Sequence, residues 1–288
     1  MADTGQNATM MRRTLGNRLR ELRTAAGLTV EQASEKAGFS GPKITRIEKA
    51  RIKAAKDDVL SLIDAYQVTG EDRDWLLRLV VQAGGLKEWW EGRRLPPKFG
   101  LYIGLEATAL IIQAYGTHLV HGLLQTPDYA RALLRGTRTE LLEHEVDELA
   151  EIRKLRQKVL ERHDPPPPEL WAVMDEAVLR RQIGGRETMH AQLEHLISIS
   201  EKPNVNLLVL PDSMGAHPGL DGPMALLQFE TGTRPVLYVE GQAGNFFQEK
   251  NDDDLRRAQG TMTRLIAEAP SPERSLDLIK KASKEMKP

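Results

Sequence analysis

Apolar residues recur at helical spacing at Leu15, Leu19 and Leu22, and Gly27 ends that run as a helix C-cap. Thr29 is placed to cap a second helix over 30–37, which Gly38 stops, with Phe39 as an apolar anchor in the turn. Ser40 caps a third helix. That helix takes Pro42 in its first turn, where a missing N–H costs little, and turns Ile44 and Ile47 inward. Asp57 and Asp58 open a fourth helix with Val59, Leu60, Ile63 and Tyr66. A fifth runs over about 72–83 with Trp75, Leu76, Leu79 and Val80, stopped by Gly84-Gly85. The pattern predicts a disordered tail over 1–13 and a five-helix domain over 14–83.

Over 84–104 the periodicity weakens, and a connector is expected there, with Trp89 and Trp90 packed against a domain. Helical spacing resumes over 106–114. Thr126-Pro127 is a cap-plus-proline helix start, and a long charged helix is expected over about 139–162, acidic first and basic later as the helix dipole favours. The prolines at 165–168 end it. LWAVM (170–174), NVNLLVL (204–210), MALLQF (224–229) and PVLYVE (235–240) read as four strands. Helices are expected over 186–200, 254–267 and 272–286, the last capped by Ser271. The remainder, 105–288, is thus a larger mixed α/β domain.

Charge sharpens this division. Residues 1–56 hold 12 Lys/Arg against 5 Asp/Glu, and residues 57–288 hold 28 against 36. A basic head on an acidic body fits a DNA-binding module joined to a domain that does not bind DNA. There is no cysteine, which excludes disulfides, thiolate metal sites and a cysteine nucleophile. No stretch of apolar residues is long enough for a membrane span, and no signal peptide is expected, so the expected location is cytoplasmic, on the nucleoid.

A helix-turn-helix needs a small residue inside its second helix and a glycine at the turn, so that the third helix is braced for the major groove. Ala33 and Gly38 have that spacing. With Ile44 and Ile47 inward, Pro42, Lys43, Thr45 and Arg46 point outward, toward base edges. Lys49, Arg51, Lys53 and Lys56 follow with no acid between them, a cluster that repels itself unless an anion arrives. The competing reading, a solvated helical face, does not account for that cluster.

LTVEQASEKAGFSGPKITRIEKA resembles the Cro/CI-type helix-turn-helix of the xenobiotic-response-element superfamily, over residues 14–83. The resemblance implies base contacts by Pro42, Lys43, Thr45 and Arg46. It implies phosphate contacts by Thr29, Ser40, Lys49, Arg51, Lys53 and Lys56. Where the family often has Gln at the start of helix two, this sequence has Val30. Gly41 and Pro42 replace longer polar side chains, which shifts specificity toward DNA shape. The positions of Arg23 and Glu48 meet in that family, and an outward Glu would repel phosphate, so a structural ion pair is expected there. One recognition helix reads only a few base pairs. A homodimer on a palindromic operator is therefore expected, its two recognition helices about 34 Å apart. Its contacts are expected beyond residue 83, around 141–160 and 276–279.

HGLLQTPDYARALL, RKLRQKVL, MDEAVLRRQIGG, MHAQLEHL, NVNLLVLP, GAHPGLDGPMALLQF and PVLYVEG occur in the order seen in the WhiJ-like actinobacterial regulators, over about 100–283. The resemblance implies a C-terminal domain without an assigned activity. It also implies a role in development or antibiotic production, and a small partner protein encoded nearby. His121 stands where that family usually has Pro.

GLLQT and the loop GAHPGLDGP, with three glycines and two prolines, are the expected effector or partner site, through His121, Leu123, Leu124, Gln125, His217 and Asp221. No cofactor or metal is expected, because the histidines lack ligand spacing and no phosphate-binding or hydrolase motif occurs. Ser213, His217 and Asp221, or the Asp175-Glu176 pair, are the residues an enzyme reading would use; the expectation is that the protein is not an enzyme. The leading reading is a DNA-binding transcriptional regulator with a sensing domain. The alternative is an antitoxin-like protein that holds a small partner and regulates its own gene.

Overall fold

The computed structural model describes residues 7–93, 95, 99–230, 233–239, 246–248 and 252–287. The chain divides into two compact units, Met1–Thr108 and Ala109–Pro288. A helical head followed by an α/β domain is the architecture the sequence predicts.

The first unit holds α1 (Ala8–Ala25), α2 (Val30–Ala37), α3 (Gly41–Glu48), α4 (Lys56–Ala65), α5 (Gly70–Gly85) and α6 (Phe99–Glu106). Most of the predicted apolar set forms its core: Leu15, Leu19, Ala33, Ile44, Ile47, Val59, Ile63, Leu76, Leu79 and Val80 are buried together, whereas Leu22 and Leu60 are only partly buried and Trp75 is exposed. Helix α1, however, begins at Ala8, so 8–13 are not a disordered tail. The Asn7 side chain caps it, accepting from Met10 N at 2.8 Å, and Ala8, Thr9, Met10 and Arg13 are buried.

The reason lies far along the chain, in α6. Asn7 Nδ2 also donates to Gly104 O at 2.6 Å. Gly104 has no room for a Cβ because Thr9 lies against it. Tyr102, Ile103 and Leu105 are buried. Glu88 Oε1 accepts from Thr9 N at 2.9 Å and from Thr9 Oγ1 at 3.1 Å. Trp90 is buried while Trp89 stays exposed. Much of the expected connector is thus part of the helical unit, and the boundary falls after residue 108 instead of 104.

The second unit is built on a six-stranded mixed sheet in the order β3-β2-β1-β4-β5-β6. β1 (Ile111–Gly116), β2 (Glu169–Asp175) and β3 (Val205–Leu210) run parallel. β4 (Met224–Gln228), β5 (Val236–Val239) and β6 (Phe246–Gln248) continue it antiparallel. The four predicted strands are β2 to β5. β1 was expected as helix, since its short apolar run carries no decisive period.

Helices α7 (Pro127–Thr137), α8 (Glu143–Gln157), α9 (Ala177–Arg180), α10 (Gly185–Ile199), α11 (Asp252–Glu268) and α12 (Pro272–Met286) complete the unit. Met262 and Leu265 of α11 pack with Tyr115, Val173, Leu208, Leu226 and Leu237 of the strands. β3 is an edge strand, and Ser275 Oγ of α12 accepts from Val209 N at 3.0 Å, closing part of that edge. Among the described residues no helix is long and apolar enough to cross a membrane.

Candidate nucleic-acid interface

The turn between α2 and α3 is fixed by local chemistry. Thr29 Oγ1 accepts from Gln32 N, and Gln32 Oε1 accepts from Thr29 N at 2.9 Å, a reciprocal cap. Gly38 takes the left-handed conformation, φ 75°, that ends α2 without steric cost. Ser34 Oγ donates to Phe39 O at 2.8 Å and steadies the turn. Ala33 is fully buried, so α2 lies close over α3.

Helix α3 is braced from beneath as well. Gly16 of α1 sits against its last turn: a Cβ there would lie 2.6 Å from Ile47 O and 2.7 Å from Glu48 O. Arg23 reaches the same place, with Nε 2.6 Å from Glu48 Oε1 and Nη2 3.0 Å from Oε2. Its Nη1 donates to Leu28 O at 2.9 Å. This forked pair is nearly dry, Glu48 being 5% and Arg23 13% exposed. Burial and the Glu48 carboxylate push the adjacent Tyr66 hydroxyl up in pKa. The expected ion pair is therefore formed, and its carboxylate is turned away from the outward face of α3.

On that outward face Pro42 and Arg46 are exposed and Thr45 is half-buried. Arg46 has no ion-pair partner among the described residues. Ser40, at the head of α3, makes no side-chain cap bond and is exposed. Arg51 and Lys56 are exposed. Lys49 lies half-buried at the C-cap of α3.

Lys43, Lys53 and Thr29, all expected DNA contacts, are engaged within the protein. Lys43 Nζ lies 2.6 Å from Asp58 Oδ1 and above the Phe39 ring. Lys53 Nζ donates to Gly84 O at 2.6 Å, serving the end of α5. The Thr29 hydroxyl is taken by its cap. Asp58 was legible only as an N-terminal helix acid; its reach to Lys43 needs the start of α4 folded back to α3.

The expected effector residues do not form one site. Leu123 and Leu124 are fully buried and Gln125 nearly so. Gln125 Nε2 donates to Val120 O at 2.7 Å, and its Oε1 accepts from Arg153 at 2.6 Å. Gln192 spans the same segment, donating to Leu124 O and accepting from Thr126 N, both at 2.7 Å. GLLQT is thus a hydrogen-bonded strut between α8 and α10 instead of an open surface. His121 beside it is held down to a pKa of about 3 by burial and by Arg156.

His217 and Asp221 also part company. Asp221 is exposed and faces Arg257 at 3.1 Å. His217 is largely buried, with Nε2 3.5 Å from Asp175 Oδ1. The Tyr115 hydroxyl donates to the same carboxylate, 3.0 Å from each oxygen, and burial raises the pKa of Asp175. Gly219 fits flat against the Tyr115 ring, where a Cβ would come within 2.6 Å. This cluster joins the ends of β1 and β2 to the 212–222 loop. Asp175 was visible in the sequence as an acid after a strand; Tyr115 was not, because β1 was read as helix.

The helices expected to hold the dimer turn Val146, Ile152 and Ile279 into their own domain, which leaves those side chains unavailable to a second copy.

A helix-turn-helix domain model matches residues 14–76, and the model of a domain of unknown function, DUF5753, matches residues 99–281. No curated protein and no solved structure matches the chain. The smaller match runs from within α1 to within α5 and holds α2 to α4 whole, so the outward face of α3 described above belongs to a DNA-binding domain of the kind found in regulators.

Proposed function

We propose that this chain, which belongs to the DUF5753 family, is a sequence-specific transcriptional regulator that lays α3 in the major groove of double-stranded DNA. The observation that carries this reading is Arg46, exposed on the outward face of α3 and without an ion-pair partner among the described residues. The helix is braced on its other side by Gly16 and the Arg23–Glu48 pair. A guanidinium so placed can bond a guanine edge in bidentate fashion. Pro42 and Thr45 lie beside it for apolar and hydroxyl contacts. Ser40, Arg51 and Lys56 are placed for phosphates, and Lys49 reaches the same backbone.

The chain acts as a homodimer on a palindromic operator, since one helix reads too little sequence to define a site. It works in the cytoplasm and, by its resemblance to WhiJ-like regulators, on genes of development or antibiotic production. Its larger domain senses an effector or a small partner protein. Genome-wide mapping of bound sites tests the reading: recurrent two-fold sequences bound by the wild type and lost in Arg46→Ala support it. Binding without sequence preference overturns it. Stoichiometric co-purification of a small protein, with binding confined to its own promoter, would favour the antitoxin-like alternative.

A further inference from the structure

The stretch after α5 is built as carefully as the helices before it. Over 86–93 the backbone closes two successive turns, Glu91 N donating to Glu88 O at 2.9 Å and Arg93 N to Trp90 O at 3.1 Å. Both carboxylates of the stretch are engaged by α1. Glu88 Oε1 accepts from Thr9 N and Oγ1, and Glu91 Oε1 lies 2.9 Å from Arg12 Nη2. The cations are not so engaged. Lys87 is exposed and has no ion-pair partner among the described residues. Arg93 lies over the Trp89 ring, its Cζ 5.9 Å from the ring centre. Trp89 is 40% exposed, and its ring stands at 88° to that of the buried Trp90, centres 5.3 Å apart. An exposed indole is thus held between a buried ring and a guanidinium, with an ammonium two residues before it.

The Lys53 ammonium ties this stretch to the α3–α4 loop by donating to Gly84 O at 2.6 Å. In the chain Lys53 lies between Arg51 and Lys56, the exposed cations placed for phosphates above. Lys87 is three residues past Gly84, so the two Cα atoms are at most about 11 Å apart. Phosphates follow one another every ~3.4 Å of helix axis on each strand, so that distance spans about three of them. The acids of the stretch are neutralised within the head, and the surface left to a partner is positive. A phosphate backbone complements it in charge and is within reach of the same loop. The Trp89 face restrains the Arg93 guanidinium, so less freedom is lost when that group takes a phosphate.

We propose that Lys87 and Arg93, with Trp89 holding the guanidinium, form a second DNA-backbone contact outside the helix-turn-helix, on phosphates flanking those reached by the 49–56 loop. The proposal rests on the reading that α3 enters the major groove, because that reading puts this loop on the backbone. Such a contact carries no base preference; it lengthens the bound site and fixes the register of the head on it.

The test uses the full chain on a mapped operator, with phosphate-ethylation interference and salt titration of binding. The wild type should show interference at phosphates that stay sensitive in Arg51→Gln and become insensitive in Lys87→Gln/Arg93→Gln. The slope of log affinity against log salt should fall by about two units in that double variant and by about one in Lys87→Gln alone, with base preference unchanged. Lys87 is exposed and unpaired, so Lys87→Gln keeps the test decisive even where Arg93→Gln disturbs the turn. Trp89→Leu should lose about two- to five-fold in affinity, and Trp89→Phe should recover most of it. An unchanged slope in both Lys87→Gln and the double variant overturns the contact and leaves the α3 reading standing. The same holds for a double variant whose sedimentation changes while its slope does not, and that result assigns the surface to a protein neighbour. A wild type that binds no DNA overturns both readings.

Discussion

Asp58 holds Lys43: its Oδ1 lies 2.6 Å from Lys43 Nζ, and the same ammonium sits 4.8 Å from the centre of the Phe39 ring. A lysine on the outward side of a recognition helix is thereby drawn back toward its own protein. Arg46, one turn later, has no such partner among the described residues. The two cations should therefore behave differently. Arg46→Ala is expected to weaken specific binding by about 1–3 kcal/mol and to relax sequence preference, whereas Lys43→Ala should cost well under about 1 kcal/mol. Asp58→Asn keeps a side-chain acceptor for Ala55 N, releases Lys43, and should steepen the salt dependence of binding by about one unit. Salt titrations of the three variants on a mapped site decide this; equal losses for Lys43→Ala and Arg46→Ala would show that Lys43 leaves Asp58 on the DNA.

Arg23 and Glu48 form the driest ion pair among the described residues of the head. Removing one partner strands the other charge, at about 3–5 kcal/mol. The double variant should recover much of that loss, because neither charge is then left unpaired. Denaturant melts of Arg23→Ala, Glu48→Ala and both together measure the coupling. Additive losses would sink the pair as a unit.

Gly16 permits the close approach of α1 to the end of α3. Gly16→Ala places a methyl 2.6 Å from a carbonyl oxygen, and overpacking of this kind costs about 1–3 kcal/mol. At Gly260, inside α11, an added Cβ would meet nothing within 4 Å, so Gly260→Ala should stabilise its own unit by roughly 0.5–1 kcal/mol. Thermal melts of the two variants should move in opposite directions. A neutral Gly16→Ala would mean that α1 and α3 can part without cost.

The head does not end where its helix-turn-helix ends. A fragment of residues 1–83 lacks Glu88, Trp90 and α6, and so leaves Thr9 and the first turn of α1 bare. A fragment of residues 1–108 should melt cooperatively and at higher temperature than 1–83. Hydrogen exchange should locate the difference in the first turns of α1. Equal stability of the two fragments would remove α6 from the folding unit.

His121 sets an acid limit on the larger domain. Its pKa falls to about 3 on folding, from 6.5 in the open chain. The folded state therefore binds this proton less tightly than the unfolded one. The stability it contributes is complete above about pH 6.5 and is lost as pH falls toward 3. His121→Asn keeps an acceptor for Leu123 N and should flatten the decline of Tm across that window. An unchanged decline would assign the acid sensitivity to other groups.

By itself the sequence determined what local chemistry can determine. Gly38 had to be left-handed, Thr29 and Thr126 had to cap, and Ala33, Ile44 and Ile47 had to face inward, because turns, caps and helical period act over a few residues. The same reasoning found β2 to β5 and the outward position of Arg46. Tertiary structure decided whatever depends on residues distant in the chain. Ala8 to Arg13 are helical because α6, some ninety residues on, covers them. Lys43 is restrained because α4 brings Asp58 to α3. GLLQT is a strut and not a pocket because Arg153, Gln157 and Gln192 converge on it. His217 faces Asp175 and Tyr115 instead of its near neighbour Asp221, because strand pairing sets β1 beside β2 and aligns the two side chains at one end of the sheet. A polar residue in a sequence states what it can bond; which partner it meets is fixed by packing that only the folded chain supplies.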